Sequence, residues 1–364
     1  MSSRKLRFSF IVQAEGRGHM TQAISLYDML TRNSHEVTCV FIGKSKRRDI
    51  PQFFREAIKC PIYQLDSPNF VTDKDNKSIR LFASILHNLK FVRRFVKSLK
   101  FIHSKNKEFE PDVMLNFYDF LGGFYFRFFR TNVRHVCIGH QFLSDHPDFP
   151  FASNHQIDKF LFRRNNGLTS QKAWKKLALS FRPYDPIKFQ NTVVTPPLLR
   201  EEIKSLKPEA HDYILGYMVN DGYGDDIIEW HKKNPSVIIH AFWDRKGVPE
   251  QYSPNPNLTF HQLSAKKFMS KMENCKGFIS TAGFESICEA MYLGKPVMMI
   301  PVEGQYEQSC NAIDAEIAGA GISSSNWEMQ RFIDYIPEYS PVSQYFQKWA
   351  NSAEEIFLKE LTEL

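Results

Sequence analysis

Short apolar runs, separated by longer stretches of mixed polarity, set the rhythm of this chain. Residues 6–12, 36–42, 111–116 and 135–139 are mainly apolar segments and read as buried strands, with a helix over 21–33. Adjacent apolar residues within each segment suit strands covered on both faces. Helices between such strands imply a parallel sheet with right-handed crossovers. The same rhythm restarts later: strands over 213–218, 236–242, 258–261, 277–280 and 296–300, helices over 225–232, 265–274 and 284–293.

Between the two series lies a segment rich in proline, residues 183–212, with Pro183, Pro186, Pro196, Pro197 and Pro208. It reads as a domain boundary. The expected fold class is α/β, with two doubly wound Rossmann-like domains facing each other across a cleft. The expected limits are 1–195, 196–340 and a C-terminal helical tail over 341–364 that packs back on the first domain. A length of 364 residues fits two domains.

One long segment, 79–105, has two characters. Phe82, Ile85, Leu86, Leu89, Val92, Val96 and Leu99 recur at helical spacing and read as a core face. Lys90, Arg93, Arg94, Lys97 and Lys100 fill the rest, among Phe91, Phe95 and Phe101. That back is either a solvated face or a surface for lipid or an anionic acceptor.

Charge sharpens this. Residues 1–110 hold 21 Lys+Arg against 10 Asp+Glu, whereas the remainder holds 26 against 30. A basic first third suits an anionic membrane surface or a phosphorylated substrate. No nucleic-acid-binding motif accompanies it, so nucleic acid is not expected as a partner. The six cysteines show no CxxC pair and read as buried thiols in a reducing compartment. The N-terminal apolar run is shorter than the ~7–15 residues of a signal peptide, and no stretch reaches the ~18 apolar residues of a membrane span. The expected location is cytoplasmic, peripheral on the inner face of a membrane.

Two glycine turns carry the candidate chemistry. The first, AEGRGHMTQA at 14–23, follows the first strand and presents Gly16, Arg17, Gly18 and His19 at the start of a helix. It is either an ordinary βα turn or a mount for a catalytic base. Histidine suits a base because its ordinary pKa lies near neutrality. The second, in GFISTAGFESICEA at 277–290, ends a strand in Thr281, Ala282 and Gly283 and opens a helix at once. A helix N-terminus answers the charge of a diphosphate, with Thr281 and Ser286 as hydroxyl donors. Glu289 could accept hydrogen bonds from a ribose diol. Glu307 and Gln308 stand in the expected loop after the next strand, before a helix beginning at Asn311. His140 and Gln141 end an earlier strand and would line an acceptor site. Asp73 and Asp75 form a carboxylate pair in a polar segment, without a preceding strand to fix them; no metal is expected there.

The run Thr281-Ala282-Gly283-Phe284-Glu285-Ser286, Glu289-Ala290, Gly294-Lys295-Pro296, Pro301, Glu307-Gln308 and Asn311-Ala312 resembles the donor-binding signature of GT-B glycosyltransferases. It is similar to the UDP-glycosyltransferases and to the bacterial peptidoglycan N-acetylglucosaminyltransferase. Gly16-Arg17-Gly18-His19 resembles their acceptor-side glycine loop. The resemblance implies an inverting, metal-independent glycosyltransferase with a UDP-sugar donor, needing no cofactor. It implies that Gly283 and Ser286 meet the diphosphate, Glu289 the ribose, and Glu307 and Gln308 the sugar. Thr281 stands where plant enzymes keep a histidine. His19 would be the base and Asp119 the carboxylate that orients it; on its own, Asp119 reads equally as a helix cap. The acceptor hydroxyl is not specified, and a lipid would suit the basic, Phe-rich first third. Two other readings stay open: a nucleotide-sugar epimerase or hydrolase, and a non-catalytic nucleotide-binding subunit.

Overall fold

The computed structural model describes residues 4–13, 17–44, 50–68, 90–153, 155–186, 191–218, 223–245 and 247–363. Gly16, Asp73 and Asp75 lie outside the described residues, as do 79–89 of the basic segment. The chain divides into two compact units. One takes in the described residues up to Arg200 together with Trp349–Leu364; the other runs over Glu201–Lys348.

The first unit is built on a seven-stranded sheet in the order β3-β2-β1-β4-β5-β6-β7. Its strands are β1 (Arg7–Val12), β2 (Glu36–Lys44), β3 (Ile62–Asp66), β4 (Val113–Phe117), β5 (Arg134–Ile138), β6 (Lys175–Leu179) and β7 (Thr192–Thr195). Every pairing is parallel. The helices are α1 (Arg17–Arg32), α2 (Gln52–Ala57), α3 (Val92–Phe109), α4 (Phe120–Phe128) and α5 (Gln156–Thr169). The core gathers Ile11, Phe41, Met114 and Leu121 with Leu99 and Ile102 of α3. α4 packs on both α3 and α5. Its approach to α5 demands glycine: a Cβ on Gly123 would lie 1.9 Å from the Leu168 carbonyl oxygen.

Two expectations change here. Val92 and Val96, expected on the core face of α3, are 46% and 44% exposed. The helix buries Leu99, as expected, together with Ser98, Ile102 and Asn106. This stripe keeps helical spacing but is rotated away from Val92 and Val96. The proline-rich segment also contains β7, an edge strand paired with β6, so it is not wholly a linker.

The second unit holds another seven-stranded sheet, β10-β11-β9-β8-β12-β13-β14. Its strands are β8 (Ile214–Tyr217), β9 (Ile239–Trp243), β10 (Gln251–Asn255), β11 (Leu258–Gln262), β12 (Gly277–Ser280), β13 (Val297–Met299) and β14 (Gly321–Ser323). Only the β10–β11 pairing is antiparallel. As an edge strand, β10 tolerates Pro254. The helices are α6 (Glu201–Lys204), α7 (Gly224–Lys233), α8 (Ala265–Asn274), α9 (Phe284–Tyr292), α10 (Tyr306–Ile317) and α11 (Met329–Tyr335). Ile214, Trp243, Phe260, Ile279, Met298 and Phe332 fill the core.

The chain ends in α12 (Ser343–Asn351) and α13 (Ala353–Thr362). Trp349 donates its indole N–H to the Ser180 carbonyl (3.0 Å), and Lys175 pairs with Glu360 (2.7 Å). Glu354 meets Arg32 at 2.9 Å and Asn33 at 2.6 Å. None of the six cysteines is in a disulfide, and five of them are buried.

Candidate active site

Each sheet has one place where successive strands leave in opposite directions. In the first unit it lies between β1 and β4, in the second between β8 and β12. Ligands of doubly wound sheets bind outside the carboxyl ends of the strands at such points. The two glycine turns of the sequence sit there: His19 lies in the first turn of α1, after β1, and Gly283 follows β12.

Backbone strain marks both points. Among the described residues, six non-glycine residues have positive φ. Four are exposed; the buried two are Tyr118 (φ 60°), after β4, and Ala282 (φ 54°), after β12. Such a conformation costs roughly 1–3 kcal/mol and persists only where the surroundings enforce it. At Tyr118 the enforcement is visible. The Asp119 N–H donates to Asn116 Oδ1 (2.8 Å), and Asn116 Nδ2 donates to the Asp119 and Thr169 carbonyls (3.1 and 2.9 Å). The Tyr118 hydroxyl donates to Asn166 Oδ1.

His19 lies over Tyr118, ring centroids 5.8 Å apart and planes 19° from parallel. Its Nδ1 meets Gln22 Oε1 at 3.3 Å, and its Nε2 meets Gln141 Nε2 at 3.5 Å. An amide oxygen only accepts and an amide nitrogen only donates. Both contacts therefore call for one tautomer, with the proton on Nδ1 and the lone pair on Nε2. Desolvation lowers the His19 pKa from 6.5 to about 4, only partly opposed by Gln22. The ring is neutral at physiological pH, with its Nε2 lone pair turned to the Gln141 amide.

Asp119 does other work. It caps α4, accepting from the Leu121 N–H (2.8 Å) and the Ser67 hydroxyl (2.9 and 3.1 Å). Burial raises its carboxyl to about 6 against these bonds. The group at His19 Nδ1 is Gln22, one turn along the same helix, which sequence reading missed. Its signal was the i, i+3 spacing that makes helix neighbours. Of the other acceptor-side residues, Gln141 reaches His19, and its carbonyl accepts from Asn166 (2.8 Å). His140 Nδ1 bonds the Leu179 carbonyl (2.8 Å) and is buried. Arg17 opens α1 with a buried Nε that has no partner among the described residues. Gly18 follows it in that first turn.

Replacing Gln22 by glutamate places a negative charge against the imidazole. The expected result is a His19 pKa raised by about 1–3 units, read by NMR titration. An unmoved pKa would show that the two side chains do not interact. The sign for stability also follows. Because folding depresses this pKa, His19's contribution is full above 6.5 and is lost as pH falls towards about 4. Gln22→Glu should shrink that loss.

In the second unit Gly283 is the N-cap of α9, with ordinary φ (−74°) and no capping side chain. A Cβ there would meet nothing closer than Ser286 Oγ at 3.7 Å. Neither conformation nor packing requires glycine, so what it leaves is room for a ligand against the helix N–H groups. Ser286 Oγ bonds Ser280 Oγ and the Gly283 carbonyl, both at 3.2 Å. Thr281 Oγ1 is buried without a partner among the described residues. Asn311 holds the Ala282 carbonyl through Nδ2 (3.1 Å), and its Oδ1 has no partner among the described residues.

Glu307 and Gln308 are expected in a loop, but α10 already begins at Tyr306. The start was illegible because Gln305, at the N-cap, makes no capping bond. Gln308 Oε1 accepts from the Val302 N–H (2.8 Å), which fixes the amide and leaves its NH₂ as the donor side. Glu307 is partly buried. Glu289 is buried on α9, where with Glu285 and Asp314 it helps burial push the Cys288 thiol upward.

The family model for glycosyl transferase family 1 matches residues 6–337. The chain belongs to this family. No curated protein matches it in sequence. Among solved structures it is similar to the glycotransferase of kitacinnamycin (TM-score 0.64, 13% identity, 98% of this chain and 99% of that one). It is also similar to Arabidopsis thaliana UGT89C1 complexed with UDP-L-rhamnose (0.64, 13%, 99% and 98%). Acinetobacter baumannii MurG matches at 0.60, with 14% identity, over 99% and 100% of the chains. These likenesses show the GT-B fold for this glycosyltransferase.

Proposed function

We propose that this glycosyltransferase is inverting and metal-independent and moves a sugar from a UDP donor to an acceptor hydroxyl. The observation that carries the reading is the neutral His19, held with its lone pair on Nε2 at a switch point. An alcohol is a poor nucleophile at neutral pH, and a base placed on it accelerates transfer by ~10²–10⁴-fold. Gln22 sets the tautomer that a carboxylate would otherwise set, without the charge that would stabilise the imidazolium. The second unit would supply the donor-side groups. The N-terminus of α9, with Ser286 and the Thr281 hydroxyl, would take up charge developing on the leaving diphosphate, in the place of a divalent cation. Glu289 would hold the ribose, and Glu307 and the Gln308 NH₂ the sugar. Arg17 would meet an anionic group of the acceptor. The UDP-L-rhamnose complex of a protein of the same fold supports the choice of donor.

The acceptor we propose is a lipid, met by a protein that sits peripherally on the cytoplasmic face of a membrane. The excess of positive charge in the first third supports this reading. No helix among the described residues is long and apolar enough to cross a membrane.

The test is the anomeric configuration of the product, read by proton NMR after transfer in EDTA. Inversion with full activity is expected. Retention, or loss of activity restored by a divalent cation, would overturn the mechanism, and donor hydrolysis indifferent to acceptor would favour a hydrolase.

A further inference from the structure

We propose that the outer face of α4 and α5 is the surface through which this protein docks on an anionic phospholipid bilayer. This deepens the peripheral placement above by naming the contact.

Phe128 on α4 is 70% exposed, and Ile157 and Phe160 on α5 are 75% and 67% exposed. Ile157, Phe160 and Arg164 follow at i, i+3 and i+4 steps and share one side of α5. A groove of about 510 Å³ runs between the helices, lined by Phe124, Phe128, Arg127, Arg163 and Arg164 among others. Water gains nothing from these rings, so two large aromatic side chains held two-thirds clear of the protein need an apolar partner.

The charge says which partner. Across segments 90–110, 120–130 and 156–171, the helical layer α3-α4-α5, twelve Lys+Arg stand against three Asp+Glu. Arg127, Arg163 and Arg164 make no hydrogen bond or ion pair among the described residues. The one acid of α5, Asp158, already faces His155 at 3.4 Å. A guanidinium fork matches phosphate oxygens, while phenylalanine and isoleucine enter the boundary between headgroups and acyl chains. An anionic bilayer offers both at once. Nucleic acid or an acidic protein would use the arginines and leave Ile157 and Phe160 in water.

The basic face of α3 is the weaker candidate. Its Val92 and Val96 are less exposed, and its aromatic rings lie under its own cations: Arg94 over Phe91 (5.1 Å) and Lys105 over Phe101 (5.8 Å). It adds attraction at a distance, and α4–α5 makes the contact.

The experiment is flotation of the full-length protein with vesicles of phosphatidylcholine alone or of equimolar phosphatidylcholine and phosphatidylglycerol. No substrate is present, so the outcome is independent of the transfer chemistry. The wild type should float with the anionic vesicles only. Arg127→Gln/Arg163→Gln/Arg164→Gln should weaken binding on the order of a hundredfold, and Phe128→Ser/Phe160→Ser should weaken it further. Both variants replace exposed side chains and should melt as the wild type does. Equal partitioning onto neutral vesicles, or none onto either, overturns the proposal. So does loss of binding in Arg93→Gln/Arg94→Gln/Lys97→Gln with the α4–α5 variants unaffected. Self-association of the wild type, relieved by Phe128→Ser/Phe160→Ser without any vesicle binding, would assign the face to a second copy instead.

Discussion

His19→Ala is expected to lower the rate of sugar transfer by about 10²–10⁴-fold, measured as UDP release in the presence of acceptor. Nucleotide affinity should not change, because every donor-side group named above lies in the second unit. The pH profile of the wild type adds a second signature. A base must be neutral to act, and His19 is neutral above about 4. The acid limb of kcat/KM should therefore fall near that value instead of near the ordinary 6.5. If His19→Ala were to transfer sugar at the wild-type rate, the histidine would be a structural member of its turn and the base would have to be sought elsewhere.

Gly283→Asp separates folding from binding at the other turn. Gly283 has the extended backbone of an N-cap and open space beyond its Cα. Aspartate is a preferred N-cap residue, so the melting temperature should hold or rise slightly. The same carboxylate would stand where the diphosphate is proposed to lie. Two like charges about 4 Å apart repel by about 1 kcal/mol in water and about 4 kcal/mol near a protein surface. UDP affinity should drop between about fivefold and a thousandfold, as read by calorimetry. A variant that is both well folded and unimpaired in UDP binding would remove the diphosphate from the α9 N-terminus.

Most of the frame was legible because buried parallel strands advertise themselves. β1, β12 and α8 follow from their apolar patterns, and the two glycine turns fall on the two switch points. What escaped the sequence did so for particular reasons. β3 and β10 are edge strands of mixed polarity, and β10 carries a proline. β7 sits among prolines that suggested only a linker. The helix behind Glu307 and Gln308 starts without a capping side chain. The partner of His19 was missed because the resemblance pointed to a carboxylate after β4, while the amide lies one helical turn away in the same helix. In three dimensions Asp119 is occupied by Ser67 and the Leu121 N–H, and Gln22 is the group in contact. The strain at Tyr118 and Ala282 has no sequence signature, since neither residue is glycine or asparagine.

The most direct test of the account is a calorimetric titration of UDP into the full-length protein in EDTA, with other nucleoside diphosphates in parallel. Saturable binding of UDP is expected, retained in His19→Ala and weakened in Gly283→Asp. A wild-type protein that binds no nucleoside diphosphate, or binds UDP just as well with aspartate at Gly283, would contradict it.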